Sequence, residues 1–320
     1  MELINKGEKI TLRQLWLLTI YLALTMYYFG SVVMTFFVVY PQIEMVHEHF
    51  TLLMDVFNSH MFWVFHLPAG LMLICSFSLL LLYNKSFPKP AVFASIVLAL
   101  ISVLTTFLVV LPIHHLLSAI GFNQTIVKKL HFVCIWFQII PATIQVLIVI
   151  GVVNRFLRDT KPFSRWLFMV VMFLVFFTWG TSYIDEFVNF PIYLTVGMKD
   201  WLAYRFAIST GVFLGIFLIP GYLPLLLTIP MFWKRPSGIP RRSVAILLLS
   251  ILWIFIITAV YFLPHIQAPL DKGYAEPLIK DILKYSFPLR GTAALVLFIT
   301  VGSMFLKAGQ FNLEDKTQLL

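Results

Sequence analysis

Charged residues are scarce in this chain. Asp, Glu, Lys and Arg make up 12% of its 320 residues, whereas roughly 25% is usual in soluble globular domains. The composition therefore excludes a soluble globular protein. Cysteine is also rare, because the chain has only Cys75 and Cys134, and they do not form a CxxC pair. Without that spacing, we expect both thiols to serve packing rather than redox chemistry.

Hydrophobic residues, by contrast, make up 60% of the chain, and its mean hydropathy is +0.93. Apolar segments of about 20 residues recur, and each is long enough for a helix to cross a hydrocarbon core of roughly 30 Å. We therefore predict an all-α integral membrane protein that contacts the lipid bilayer through eight transmembrane helices. The predicted spans are 15–40, 59–83, 92–112, 131–153, 166–190, 202–232, 243–263 and 286–306.

The sequence also repeats itself. A shift of 152 positions superimposes residues of the first half on identical residues of the second, and nearer the N-terminus the shift is 150. A repeat of this length indicates a duplicated structural unit rather than chance composition. The matched pairs are Gly30 with Gly180, Pro41 with Pro191, Phe65 with Phe217, Pro68 with Pro220, and Leu111-Pro112 with Leu263-Pro264.

The repeat predicts how the chain is divided. Two four-helix repeats occupy residues 15–153 and 166–306, and a short basic linker, 154–165, joins them. A cytoplasmic N-terminal segment, 1–14, precedes the first repeat, and a cytoplasmic tail, 307–320, follows the second. Four helices return the chain to its starting side, so the repeats should be parallel and related by a pseudo-twofold axis along the membrane normal.

The distribution of Lys and Arg predicts the orientation. Of the 23 residues of these two types, 15 lie at the termini and in the loops on the same side, and 6 lie in the opposite loops. Basic residues concentrate on the cytoplasmic side of membrane proteins, so we expect both termini to be cytoplasmic. This topology explains the net charge of +9, and we expect no nucleic-acid partner. The expected location is a bacterial cytoplasmic (inner) membrane.

Two acidic residues, Asp185 and Glu186, lie near the predicted outer end of the fifth helix. An ionisable group at such a depth is costly unless it faces water or other polar groups. Helical spacing places Asp185 on one stripe with Thr178 and Thr181, whereas Glu186 shares another face with Trp179.

Two arginines are candidate counter-charges for these acids. Arg205 is expected early in the sixth helix and Arg290 early in the eighth, and neither has an acid three or four residues away on its own helix. If either arginine is buried, its partner must therefore come from another helix. A structural salt bridge and a functional site are both open interpretations.

His60 opens the second predicted span, and His66, His114 and His131 also lie at or within predicted spans. His66 and His131 are suitably placed for a proton relay or an axial haem ligand, and His114 for contact with lipid head groups. A simple hydrogen bond between helices is the alternative. His47 and His49 are poorly spaced for a helical metal site, so we predict no metal site and assign no cofactor.

The order of motifs in the first repeat resembles the small four-helix membrane family that includes the fungal anthrone oxygenases. These motifs are Phe29-Gly30-Ser31, Tyr40-Pro41, Pro112-Ile113-His114 and Trp136-Phe137-Gln138. The family often has Trp-x-Arg in its fourth helix, whereas this chain has Gln138 in place of the arginine in the first repeat and Pro288 in place of the tryptophan in the second. The resemblance covers 15–153 well and 166–306 loosely. It implies a membrane-embedded site for aromatic or polyketide-like molecules and an oxidation without a bound metal.

We therefore expect a multi-pass membrane protein that binds a small hydrophobic or aromatic molecule near the extracytoplasmic side, and the enzyme hypothesis adds its oxidation. In that hypothesis Asp185 or Glu186 is the base or anchor, and His66 or His131 is the acid or relay. The residues expected to contact the substrate are Thr178, Trp179, Thr181, His114, Arg205 and Arg290.

Two other functions remain open at the level of sequence. One is a transporter or channel for an uncharged solute, since the middle of every predicted span lacks Asp, Glu, Lys and Arg, which disfavours ion coupling. The other is an intramembrane accessory subunit, because the short loops leave little surface for soluble partners.

Overall fold

The computed structural model describes residues 11–81 and 88–318, which include helices and connecting turns but no strand. Lys6 and Lys9 of the predicted cytoplasmic N-terminus lie outside the described residues. Within them, eight helices are long and apolar enough to cross a membrane, as predicted, and this indicates an integral membrane protein. We number them α1 (Leu12–Ile43), α2 (Phe50–Ser78), α3 (Lys89–Ile120), α4 (Gln124–Phe156), α5 (Pro162–Arg205), α6 (Thr210–Lys234), α7 (Arg241–Leu270) and α8 (Glu276–Phe311).

Most of the helices extend beyond the predicted spans, chiefly at one end of the bundle, whereas α6 begins at Thr210 rather than at the predicted 202. Helix α2 begins at Phe50 rather than at 59, and α5 continues to Arg205 rather than ending at 190. Arg205 is thus the last residue of α5, and its predicted place early in the sixth helix is wrong. The chain passes Pro191 without a break and bends instead at Gly197, whose φ of 76° few other residues adopt.

Helices α1 and α5 form the centre of the molecule. Of their most apolar stretches, 72% and 67% of the residues are buried, against 17% to 44% in the other six helices. Helix α1 packs against α2, α4, α5 and α8, while α5 packs against α6 and α8 as well as α1. Helix α3 completes one group with α2 and α4, and α7 completes the other with α6 and α8. The two four-helix groups therefore meet mainly along the contact between α1 and α5.

Two glycines permit the close approach of α1 and α5. A Cβ atom on Gly30 would lie 2.2 Å from the carbonyl oxygen of Phe177, and one on Gly180 would lie 2.1 Å from the carbonyl oxygen of Tyr27. No other residue fits at either position without moving a backbone, as is common where membrane helices pack closely. The contact occurs twice with the two helices exchanged, and its residues are separated by the same 150 positions as the sequence repeat.

Each long helix contains a π-helical segment. In seven of them a proline follows six positions after the first residue of the segment, and the eighth contains Pro288. A proline has no amide hydrogen and its ring collides with the carbonyl four residues earlier, so a locally wider turn accommodates it. The segments are Thr35–Val39, Phe62–His66, Thr106–Val110, Ile135–Ile139, Asp185–Asn189, Leu214–Leu218, Thr258–Gln267 and Phe287–Gly291.

A proline leaves a carbonyl of its own helix without an amide partner, and a neighbouring helix supplies one at two places. Pro68 frees the carbonyl of Val64, which accepts a hydrogen bond of 2.7 Å from the Tyr27 hydroxyl of α1. Pro224 frees the carbonyl of Pro220, which accepts a hydrogen bond of 3.2 Å from Thr178 of α5. These bonds connect the central helices to α2 and α6 and satisfy backbone groups that would otherwise be costly in lipid.

We expect Tyr27→Phe to lower the free energy of unfolding by about 1 kcal/mol, because the Val64 carbonyl loses its partner. Adding Pro68→Ala should restore part of this loss, since the new amide at position 68 can donate to the same carbonyl. Unfolding of both variants in detergent measures the effect. Equal stability of Tyr27→Phe and the wild type would show that the hydrogen bond contributes nothing.

Candidate functional site

Glu186 of α5 and Arg290 of α8 belong to one polar network, as the scarcity of charge in these helices suggested. The Ser286 hydroxyl donates to Glu186 Oε2 at 2.5 Å and accepts from Arg290 Nη2 at 2.5 Å, while Nη2 lies 3.8 Å from Glu186 Oε2. The guanidinium also lies over the Phe262 ring, 4.1 Å from its centroid. The partner of Arg290 thus comes from another helix, as expected for a largely buried arginine. We call Glu186, Ser286 and Arg290 the Arg290 network.

Asp185 and Arg205 lie beside this network but are paired with other groups. Asn189 donates to Asp185 Oδ1 at 2.9 Å, and the Tyr204 hydroxyl donates to Asn189 Oδ1 at 2.5 Å. Arg205 forms its ion pair with Asp271 at 2.7 Å. It also donates to Tyr193 at 3.2 Å and to Gln267 of α7. Arg205 therefore connects the C-terminal end of α5 to α7, rather than pairing with Asp185 or Glu186.

The predicted histidines His114 and His131 lie together in the first half. His131 Nε2 is 2.9 Å from Glu44 Oε1, and the Tyr40 hydroxyl is 2.9 Å from His114 Nε2. The Tyr40 ring stacks on His131 with 6.0 Å between centroids and meets His114 edge-on at 5.7 Å. His114 is thus buried and bonded to a tyrosine of α1, so the expected contact with lipid head groups is wrong. A cavity of about 20 Å³ beside Glu44 and His131 has room for one water molecule.

The other predicted residues are distributed over the bundle. His66 is buried against Phe107 of α3, with 5.6 Å between ring centroids. Thr181 bonds to the carbonyl of Thr178 on its own helix, and Thr178 bonds to α6. The predicted stripe of Thr178, Thr181 and Asp185 therefore serves contacts within and between helices.

An aromatic groove lies between α1, α2 and α5, and sequence reasoning found only one of its residues, Trp179. Its volume is about 340 Å³. Tyr183 and Phe187, near the middle of α5, form one wall, and both pack against Phe287 of α8, with centroids 6.3 Å and 5.2 Å away. Since Phe287 follows Ser286, the groove and the Arg290 network adjoin each other. The lining residues are Leu24, Tyr27, His60, Trp63, Val64, Pro68, Trp179, Tyr183 and Phe187.

The residues of the groove that the sequence did not indicate are His60, Tyr27, Trp63 and Tyr183. His60 was expected at the start of the second helix, but α2 begins at Phe50, so His60 lies well inside it. Tyrosine and tryptophan are abundant throughout the chain, and their convergence depends on how three helices pack. The one available signal was the proline at position 68, which marks the bend that shapes one wall of the groove.

In the part of the chain that the structure describes, no three side chains of His, Cys, Asp or Glu are grouped as metal ligands would be. Some of these groups instead contact other polar side chains: His114 contacts Tyr40, Asp185 contacts Asn189, Glu186 contacts Ser286, and His131 lies 2.9 Å from Glu44. Comparison of the chain with protein-family models, with curated proteins and with solved structures gives no match.

Proposed function

We propose that this protein binds a small hydrophobic or aromatic molecule in the aromatic groove. The observation that carries the proposal is the lining: five aromatic rings, those of Tyr27, Trp63, Trp179, Tyr183 and Phe187, surround about 340 Å³. Pockets of roughly 300–1,000 Å³ with mostly apolar walls and a few polar groups are typical of small-molecule sites. Aromatic walls favour a flat ligand, because rings stack or meet edge-on at little conformational cost.

The ligand would enter from the bilayer. The outward face of α2 beside the groove is apolar and exposed, and Trp63 itself is 69% exposed. In a helix that spans the membrane, such a face lies against lipid. A molecule dissolved in the bilayer therefore reaches the groove without crossing water.

We also propose that the two four-helix groups are tandem repeats with both termini in the cytoplasm. The reciprocal contacts of Gly30 and Gly180 support a pseudo-twofold relation, and so do the π-helical segments, which start 150 or 152 residues apart in the two halves. The excess of Lys and Arg in one set of loops supports the orientation. With this orientation, the Arg290 network lies toward the extracytoplasmic side, and a bacterial inner membrane is the proposed location.

Oxidation of the bound molecule stays a prediction, based on the resemblance to the anthrone oxygenase family. It would need a base next to the groove, and Asp185 and Glu186 are the carboxyl groups nearest to Tyr183 and Phe187 along α5. If Asp185 is that base, Asp185→Asn abolishes turnover of an anthrone substrate without loss of folding. Unchanged turnover in Asp185→Asn and in Glu186→Gln would remove both carboxylates from the mechanism.

Binding itself can be measured by titrating 1-methoxynaphthalene, a flat neutral aromatic, into protein in lipid nanodiscs, with empty nanodiscs as the baseline. Saturable binding is expected in the wild type, and Trp179→Leu should weaken it about tenfold or more, because one wall of the groove is lost. Trp233→Leu is the matched control, since Trp233 is exposed on α6 away from the groove. Equal weakening in both variants would contradict the proposal.

A further inference from the structure

The hydrogen bonds of His60 determine which of its ring nitrogens carries a proton. Nδ1 lies 2.8 Å from the carbonyl oxygen of Val56, which can only accept, and 3.0 Å from Ser59 Oγ. The Ser59 hydroxyl already donates its own hydrogen to the Val56 carbonyl at 2.8 Å. Both neighbours of Nδ1 therefore offer lone pairs, so Nδ1 must be the donor. In the neutral imidazole, Nε2 is then an acceptor.

Three further polar groups line the groove, those of Tyr27, Trp179 and Tyr183. The Tyr27 hydroxyl has already donated its hydrogen to the Val64 carbonyl at 2.7 Å, so toward the groove it can only accept. The indole nitrogen of Trp179 is buried and has no hydrogen-bond partner among the described residues. No hydrogen bond to His60 Nε2 is seen among the described residues. A bound molecule is thus in a position to supply the missing donor.

We propose that the groove selects a neutral phenol, that is, an aromatic ring whose hydroxyl donates to His60 Nε2. The inference rests on the proposed function and adds to it the chemical class of the ligand. The ring would lie among the aromatic side chains of α1, α2 and α5. The hydroxyl would point toward α2, and any apolar substituent would extend into the lipid beside Trp63.

Other polar aromatic molecules fit the groove less well. A ketone, quinone or aryl ether of the same size has no hydrogen to donate, so it would remove water from Nε2 without replacing the hydrogen bond. A carboxylate or phenolate would bring a negative charge next to acceptor lone pairs inside an apolar groove, where an unpaired charge is costly. The complementary partner is therefore a neutral donor.

The test compares two probes that differ in one atom group: 1-naphthol and 1-methoxynaphthalene, in which a methyl group replaces the hydroxyl hydrogen. Both are titrated into nanodisc-embedded protein at about pH 8, and each affinity is corrected for partitioning into empty nanodiscs. The wild type should bind 1-naphthol about tenfold or more tightly than the ether, because a site built to accept a hydrogen bond rejects an analogue that cannot donate one.

The variants assign this preference to His60. His60→Phe should reduce the preference for 1-naphthol over the ether to within about twofold while leaving ether binding nearly unchanged. His60→Gln, which keeps an acceptor oxygen, should retain part of this preference. His265→Phe is the matched control, because His265 is exposed and outside the groove; it should bind both probes as the wild type does. Size-exclusion profiles and thermal unfolding confirm that each variant is folded.

The outcomes separate the two proposals. If neither probe binds saturably, the proposed function itself fails. If both bind equally to the wild type, the groove is a ligand site but its preference for a phenol is refuted. A preference for 1-naphthol that survives in His60→Phe would also overturn the inference, because the donor would then be recognised elsewhere.

Discussion

Gly180→Ala is expected to lower the free energy of unfolding by about 2–3 kcal/mol, at the upper end of the usual cost of overpacking. The added methyl group would be placed 2.1 Å from the carbonyl oxygen of Tyr27, which belongs to a backbone rather than to a side chain that can turn away. Helices α1 and α5 must therefore separate. Gly30→Ala should cost nearly the same, because its methyl group would meet the Phe177 carbonyl in the mirrored contact. Unfolding in detergent by titration with SDS measures both.

Gly151→Ala on α4 is the matched control for these glycines. A Cβ atom at Gly151 would meet nothing within 4 Å, so the substitution should be neutral or should stabilise the helix by up to about 1 kcal/mol. Because the contact is reciprocal, Gly30→Ala and Gly180→Ala should lower the free energy of unfolding by similar amounts. Sensitivity at only one of the two positions would argue against the symmetric packing of α1 and α5.

Arg290→Leu is expected to have the largest effect, about 3–5 kcal/mol of lost stability, because it leaves Glu186 without its counter-charge in an apolar bundle. Glu186→Leu should cost a similar amount, since it isolates the guanidinium. The double variant Glu186→Leu/Arg290→Leu should be more stable than either single variant, because it removes both charges together. The same SDS titration gives the three values and hence the coupling energy between the two residues.

The exposed pair of Lys280 and Glu276 on α8 provides the control for Arg290. Its charged atoms are 2.7 Å apart, closer than those of Arg290 and Glu186, but both side chains are more than half exposed. Lys280→Leu should therefore change the stability by less than about 1 kcal/mol. Strictly additive effects in the Glu186/Arg290 double variant would show that the two charges do not interact.

The sequence predicted the number of helices correctly because each membrane span is a long apolar segment. It misplaced several helix ends, since these are amphipathic: α4 begins at Gln124 and carries Lys128 and Lys129 in its first turns. A search for continuous apolar segments leaves out charged residues such as these lysines, although the helix continues through them. Arg205 was misplaced for a related reason, because the predicted fifth span ends before Pro191, whereas the wide turn before Pro191 lets α5 continue.

The Arg290 network was partly predictable, because Asp185, Glu186 and Arg290 are rare charges in apolar segments and a buried arginine needs a partner from another helix. The choice of partners was not predictable. The pairing of Glu186 with Arg290 and of Arg205 with Asp271 depends on which helices are neighbours and on where α5 ends. The groove was still less accessible to sequence reasoning, because its concave shape arises from three helices that bend at different residues.

The wide turns also have a consequence for how a mutational scan of this protein would look. Each π-helical segment adds one residue to a turn, and this advances the phase of every later side chain by about 100° relative to an unbroken α-helix. A helix thus presents one face to its neighbours before the turn and a different set of positions after it. The N-terminal part of α2, Phe50–Met61, packs on α3 and α5, whereas its C-terminal part, Leu67–Ser78, packs on α1 and α3. Sensitivity to polar substitution should therefore recur every three to four residues along each helix and then shift register at its proline.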